Sequence, residues 1–123
     1  MTVQELYENI GGSYDAAKSI LQMDRLIGKF IVKFLDDKSF EKLASSWEAR
    51  DAAGTFEGAH AMKGVCANLG LSSLSAAASE LAEEFRPGNP RKLGDEEVDG
   101  RVAAIREQYD RSIEGIRAFA AEQ

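Results

Sequence analysis

A chain of 123 residues, 44% hydrophobic and 29% charged, has room for one apolar core and reads as a single domain over residues 1–123. Its net charge of -6 and the lack of a dense Lys/Arg cluster argue against a polyanion as main partner, so no nucleic acid is expected. The most apolar stretch, Ile20 to Leu35, is interrupted by Asp24, Arg25, Lys29 and Lys33, which excludes a membrane span. Met1 to Glu5 lack the basic and apolar regions of a signal peptide, and a single cysteine, Cys66, cannot form an intramolecular disulfide. A cytoplasmic protein is the expectation.

In chain order, Thr2-Val3-Gln4-Glu5 has the spacing of a capping box and opens a short helix that Gly11-Gly12 ends. From about Ser13 to Asp36, Ile20, Ile27, Phe30, Ile31 and Phe34 recur every three or four residues, which predicts one helix with one buried face. Ser39 is placed to cap a helix carrying Phe40, Leu43 and Trp47 to about Arg50. Asp51 is placed to cap the next, from Ala52 to about Leu69, with Gly70 closing it. Ser72 opens a helix that ends near Arg86, before the loop Pro87 to Gly94. Asp95 is placed to cap the last helix, whose stripe is Val98, Val102, Ile105, Tyr109, Ile113, Ile116 and Phe119.

No segment alternates with period two, so the chain is all-α. Amphipathic helices with short connections pack most simply as an antiparallel four-helix bundle, here with an additional short N-terminal helix. One self-sufficient bundle needs no second copy, and a monomer is expected.

His60 is the only histidine. At about 100° per residue, Gly58, Ala59, Met62, Val65, Cys66 and Leu69 fall on the apolar side of its helix. Glu57, His60, Lys63, Gly64 and Ala67 fall on the other. Three glycines, Gly54, Gly58 and Gly64, each cost that helix about 1 kcal/mol against alanine. Gly54 and Gly58 lie toward the packed side, where close helix approach explains them. Gly64 lies beside the imidazole, where a missing side chain leaves clearance. Lys63 brings a positive charge within reach of an anion in that space. Nucleophile, clearance and cation together suit a phosphoryl group on an imidazole nitrogen. One Cys and one His cannot make a metal site, and no acid, base or metal constellation surrounds His60, so neither a cofactor nor enzymatic activity is expected.

The run His60-Ala61-Met62-Lys63-Gly64, followed by Asn68-Leu69-Gly70-Leu71, resembles the histidine phosphotransfer (HPt) domains of bacterial phosphorelays. Their pattern is a histidine, a lysine three on, a glycine four on and a glycine closing the helix about ten on. His60, Lys63, Gly64 and Gly70 match it. Tyr14 to Asp36 looks like the family's second helix and Ser72 to Arg86 like the helix after the active one. The resemblance implies that His60 is the phosphoacceptor through the ring nitrogen farther from the backbone. It implies that Lys63 stabilises the phosphoryl oxygens and that Gly64 gives them access. The implied partners are receiver domains of response regulators or hybrid histidine kinases, which supply the metal ion and the other charged groups.

Family members often set a polar side chain from the next helix against the imidazole. Ser75 and Ser79 are the candidates here, among alanines. Cys66 and Trp47 read as core and Glu83-Glu84 as a solvated pair, while Phe56, beside the His60 face at the edge of the apolar arc, reads first as packing and second as a partner contact. Met23, Leu26 and Phe30 read first as core and second as a docking patch for a receiver. The alternative function is a helical interaction module of the same fold whose histidine is not phosphorylated.

Overall fold

The computed structural model describes all of residues 1–123 and is helical throughout, with no strand. The Thr2 hydroxyl accepts the Glu5 N–H at 3.1 Å while the Glu5 carboxylate accepts the Thr2 N–H at 2.7 Å. This reciprocal box opens α1 (Val3–Ile10). The Ser13 hydroxyl accepts the Ala16 N–H and opens α2 (Tyr14–Leu21). Next come α3 (Asp24–Lys33), which runs into a 3-10 turn over Phe34–Asp36, and α4 (Ser39–Glu48). α5 (Ala52–Asn68), α6 (Ser72–Glu84) and α7 (Asp95–Ala121) complete the chain.

The helix expected from Ser13 to Asp36 is two helices. Gln22 adopts the left-handed φ of 69° and Met23 is extended, so the chain turns between α2 and α3. That turn breaks the single apolar face. Ile27, Ile31 and Phe34 are buried, whereas Ile20 is 49% and Phe30 37% exposed. Nor does Ser39 cap α4. The Asp37 carboxylate accepts both the Ser39 N–H, at 3.0 Å, and the Ser39 hydroxyl. Asp95 is the first residue inside α7, after Gly94, and its carboxylate takes Arg91 at 3.2 Å and Arg50 at 3.3 Å. Glu84 is not solvated. Its side chain is 9% exposed and accepts the Lys92 and Leu93 N–H groups at 2.8 and 2.6 Å, which ties down the loop before α7.

Packing follows from small residues and caps. On α5, a Cβ at Gly58 would stand 2.5 Å from the backbone N of Leu43, so α4 and α5 approach backbone to backbone. Ser46 meets Gly54 one turn earlier on α5 and one turn later on α4, which makes the pair antiparallel. Gly70, at φ 71°, reverses the chain into α6 and accepts the Ser13 N–H at 2.8 Å, which binds the start of α2 to the α5–α6 corner. Arg101 reaches Glu80 across α6 and α7 at 2.8 Å, while Trp47 Nε1 donates to Asp99 at 2.7 Å across α4 and α7.

At 27 residues α7 is about 40 Å long and serves as a spine. Its first half lies on α4 and α6. Its second half carries α1, through Ile10 against Gly115, and α3, through Phe119 against Gly28. Tyr7 donates a buried hydrogen bond of 2.6 Å to the Leu69 carbonyl, linking α1 to the end of α5. The core between these helices includes Leu6, Ile27, Leu43, Met62, Leu81 and Ile116, each wholly buried.

Candidate functional site

Helix α5 is held at both ends. The Asp51 carboxylate accepts the Gly54 N–H at 3.0 Å, and Gly70 turns the chain away after Asn68. Between them, Gly58, Ala59, Met62, Cys66 and Leu69 are buried. Burial pushes the Cys66 thiol up to about 12, so that sulfur stays protonated and inert. The opposite face presents His60, Gly64 and Ala67 to solvent, with Lys63 half-buried beside them. The helical sorting into two faces is observed except at Val65, expected on the apolar side, which is half-buried and lines a groove.

An added Cβ at Gly64 would meet nothing within 4 Å. This contrasts with Gly58 on the same helix, which the neighbouring backbone forbids from carrying a side chain. Two glycines with the same propensity cost therefore have different causes: Gly58 serves packing, and packing does not explain Gly64.

His60 stacks on Phe56 one turn earlier, ring centroids 5.5 Å apart and planes 20° from parallel. The Arg86 guanidinium lies 5.7 Å from the Phe56 centroid and grips Glu83 at 2.6 Å. The Arg86 hydrogen bonds hold the Glu83 carboxyl below its ordinary range, and the positive charge of Lys63 adds to that effect. Lys63 and Arg86 thus bring two cations to the His60 neighbourhood. Arg86, not Lys63, makes the ion pair with Glu83. Ser75 does not reach the imidazole. Its hydroxyl donates to the Lys63 carbonyl at 2.9 Å and so steadies the backbone of the site rather than the ring.

Phe56, expected beside the His60 face, is a neighbour of the site, as are Glu83 and Arg86, which helical sorting did not connect with it. Phe56 stands four residues before His60, a spacing that could have shown the stack. Arg86 carried no such signal, because it arrives from the end of the next helix.

Beside this face lies a groove of about 690 Å³ lined by Ile20, Phe30 and Lys33 on one side and Val65, Asn68 and Leu69 on the other. Asn68 shares the His60 side of α5, so groove and imidazole open on neighbouring surfaces. Of the suggested patch, Met23 is 46% and Phe30 37% exposed, Leu26 is half-buried and Ile27 belongs to the core. No group of three or more His, Cys, Asp or Glu side chains is gathered to hold a metal, and no helix is long and apolar enough to cross a membrane.

The family model described as Hpt domain matches residues 25–118, from α3 to near the end of α7, with His60, Lys63 and Gly64 inside the match. No curated protein and no solved structure matches the chain. With three quarters of its length inside that match, the chain belongs to the Hpt domain family.

Proposed function

We propose that this protein is a phosphoryl carrier that relays the group between receiver-domain aspartates through His60. The observation that carries the reading is the exposed imidazole beside a cation, Lys63, and a position, Gly64, with nothing within 4 Å of an added Cβ. In the transfer, the lone pair of Nε2 attacks the phosphorus of an aspartyl phosphate. A P–N bond forms as the P–O bond breaks, and the electron pair leaves with the aspartate carboxylate. The other ring nitrogen keeps its proton while Nε2 acts as nucleophile.

Lys63 offsets charge on the phosphoryl oxygens, and the open space at Gly64 admits them together with the receiver. Transfer onward is the same step reversed on a second receiver. The protein is not an enzyme in this account, because the receiver brings the metal ion and the remaining charged groups. Helices α4 to α7 form an antiparallel four-helix bundle, with α1 and α3 packed against the bundle's long helix and α2 against the end of α5. The protein works as a cytoplasmic monomer, and Ile20, Met23 and Phe30 give a receiver an apolar seat next to His60.

Incubation with a phosphorylated receiver tests the reading. Acid-labile, alkali-stable label should pass to the wild type and not to His60→Gln. Equal labelling of the two would overturn it, and a wild type that takes no label from its receivers would favour an interaction module.

A further inference from the structure

We propose that Phe56 is the positioning residue of the His60 imidazole, setting its orientation by offset ring stacking instead of by a hydrogen bond to a ring nitrogen. The inference rests on the reading of His60 as phosphoacceptor. The two rings lie 5.5 Å apart and 20° from parallel, successive turns of one helix holding them in register. Phe56 is itself fixed. It is half-buried against the core, and its ring lies 5.7 Å from the guanidinium of Arg86, which Glu83 holds by hydrogen bonds of 2.6 to 3.3 Å. Of the two hydroxyls considered on the next helix, that of Ser75 is spent on the Lys63 carbonyl, and that of Ser79 makes no hydrogen bond to the imidazole.

A face contact has a chemical consequence that a hydrogen bond lacks. It restricts the rotation of the imidazole while leaving both nitrogens, which lie on the ring edge, free of protein partners. In the proposed transfer Nε2 keeps its lone pair for the phosphorus, and the other nitrogen exchanges its proton with water. The ring gains positive charge as the P–N bond forms, and the negative face of the Phe56 ring favours that charge.

The single histidine makes the test direct, since its two carbon-bound ring protons are the only ones of their kind in the proton NMR spectrum. Stacking on Phe56 shifts them by the aromatic ring current. They should move toward free-imidazole positions in Phe56→Leu and stay near the wild-type positions in Phe56→Tyr. Phe56→Met fills the site without a ring and serves if the leucine variant does not fold.

Phosphoramidate, which gives up its phosphoryl group with release of ammonia, then measures reactivity without a receiver. Its rate of phosphorylating His60 should fall about tenfold in the leucine or methionine variant and return to within about twofold of wild type in Phe56→Tyr. Unchanged ring-proton shifts, or unchanged rates in a folded variant lacking the aromatic ring, overturn this inference alone. A wild type that phosphoramidate leaves unmodified overturns the phosphoacceptor reading and the inference together.

Discussion

Gly64 and Gly58 sit on one helix, and replacing each by alanine should move stability in opposite directions. Interior glycine costs a helix about 1 kcal/mol against alanine. At Gly64 an added Cβ meets nothing within 4 Å, so the whole gain should be realised. With an unfolding entropy of about 2.1 cal/mol/K per residue, a 123-residue domain changes Tm by about 4 °C for each kcal/mol, and Gly64→Ala should melt about 4 °C above wild type. At Gly58 the Cβ would stand 2.5 and 2.7 Å from the N and Cα of Leu43, backbone atoms that cannot rotate aside. Parting α4 from α5 costs about 3 kcal/mol, the upper end for overpacking, and the propensity gain leaves a net loss of about 2 kcal/mol, or about 8 °C.

Thermal melting followed by circular dichroism checks both values. Receiver-dependent phosphorylation should meanwhile slow in Gly64→Ala although the protein is more stable. A Gly64→Ala protein that melts at or below wild type would mean that the position is packed, and the clearance argument would fail.

Three further outcomes follow from the packing and the groove. Phe30→Ser and Ile20→Ser remove exposed side chains, so Tm should stay within about 2 °C, while KM for a receiver rises about tenfold and the maximal rate holds. A rate loss without a KM change would move the receiver's seat elsewhere. Tyr7→Phe strips the Leu69 carbonyl of its buried donor and should cost about 1–2 kcal/mol in chemical denaturation. Burial also raises the Tyr7 phenol above its ordinary value of 10.0, so the folded state holds this proton more tightly than the unfolded state. That contribution is complete below pH 10 and is lost as pH rises beyond it, so Tyr7→Phe should show the weaker alkaline destabilisation above pH 10. Cys66, buried and raised to about 12, should resist a thiol-specific disulfide reagent at pH 8 and react fully only in denaturant. Rapid labelling of the native protein would contradict its place in the core.

Much of this fold is legible because its signals are local. The capping box at Thr2 and Glu5, the Asp51 cap, the closing Gly70 and the apolar stripe of α7 each depend on residues within a turn or two of one another. The two faces of α5 are legible for the same reason. The break between α2 and α3 is not, because Gln22 takes a left-handed conformation without the glycine that normally announces one. With that break hidden, Ile20 and Phe30 fall on a continuous stripe and read as core, although the folded chain turns them out to line a groove.

The expected caps fail for different local reasons: at Asp95 the carboxylate is taken by Arg91 and Arg50, and at Ser39 a neighbouring carboxylate intervenes. Asp37 reaches the Ser39 N–H first. Within the site, the clearance at Gly64 and the charge at Lys63 can be read from spacing, as can the stack on Phe56. The grip of Arg86 on Glu83 beneath Phe56 cannot, since it depends on how α6 ends against α5.

The proposed relay turns on one atom, Nε2 of His60. Protein uniformly labelled in nitrogen-15, phosphorylated and examined through correlations between the ring protons and the ring nitrogens, reports on that atom without ambiguity because the chain has one imidazole. Uptake of one phosphoryl group should shift the nitrogen farther from the backbone and couple it to phosphorus, while the nearer nitrogen shows no such coupling. Uptake of a phosphoryl group that leaves both ring nitrogens unshifted and uncoupled would place the group on another residue and contradict the account.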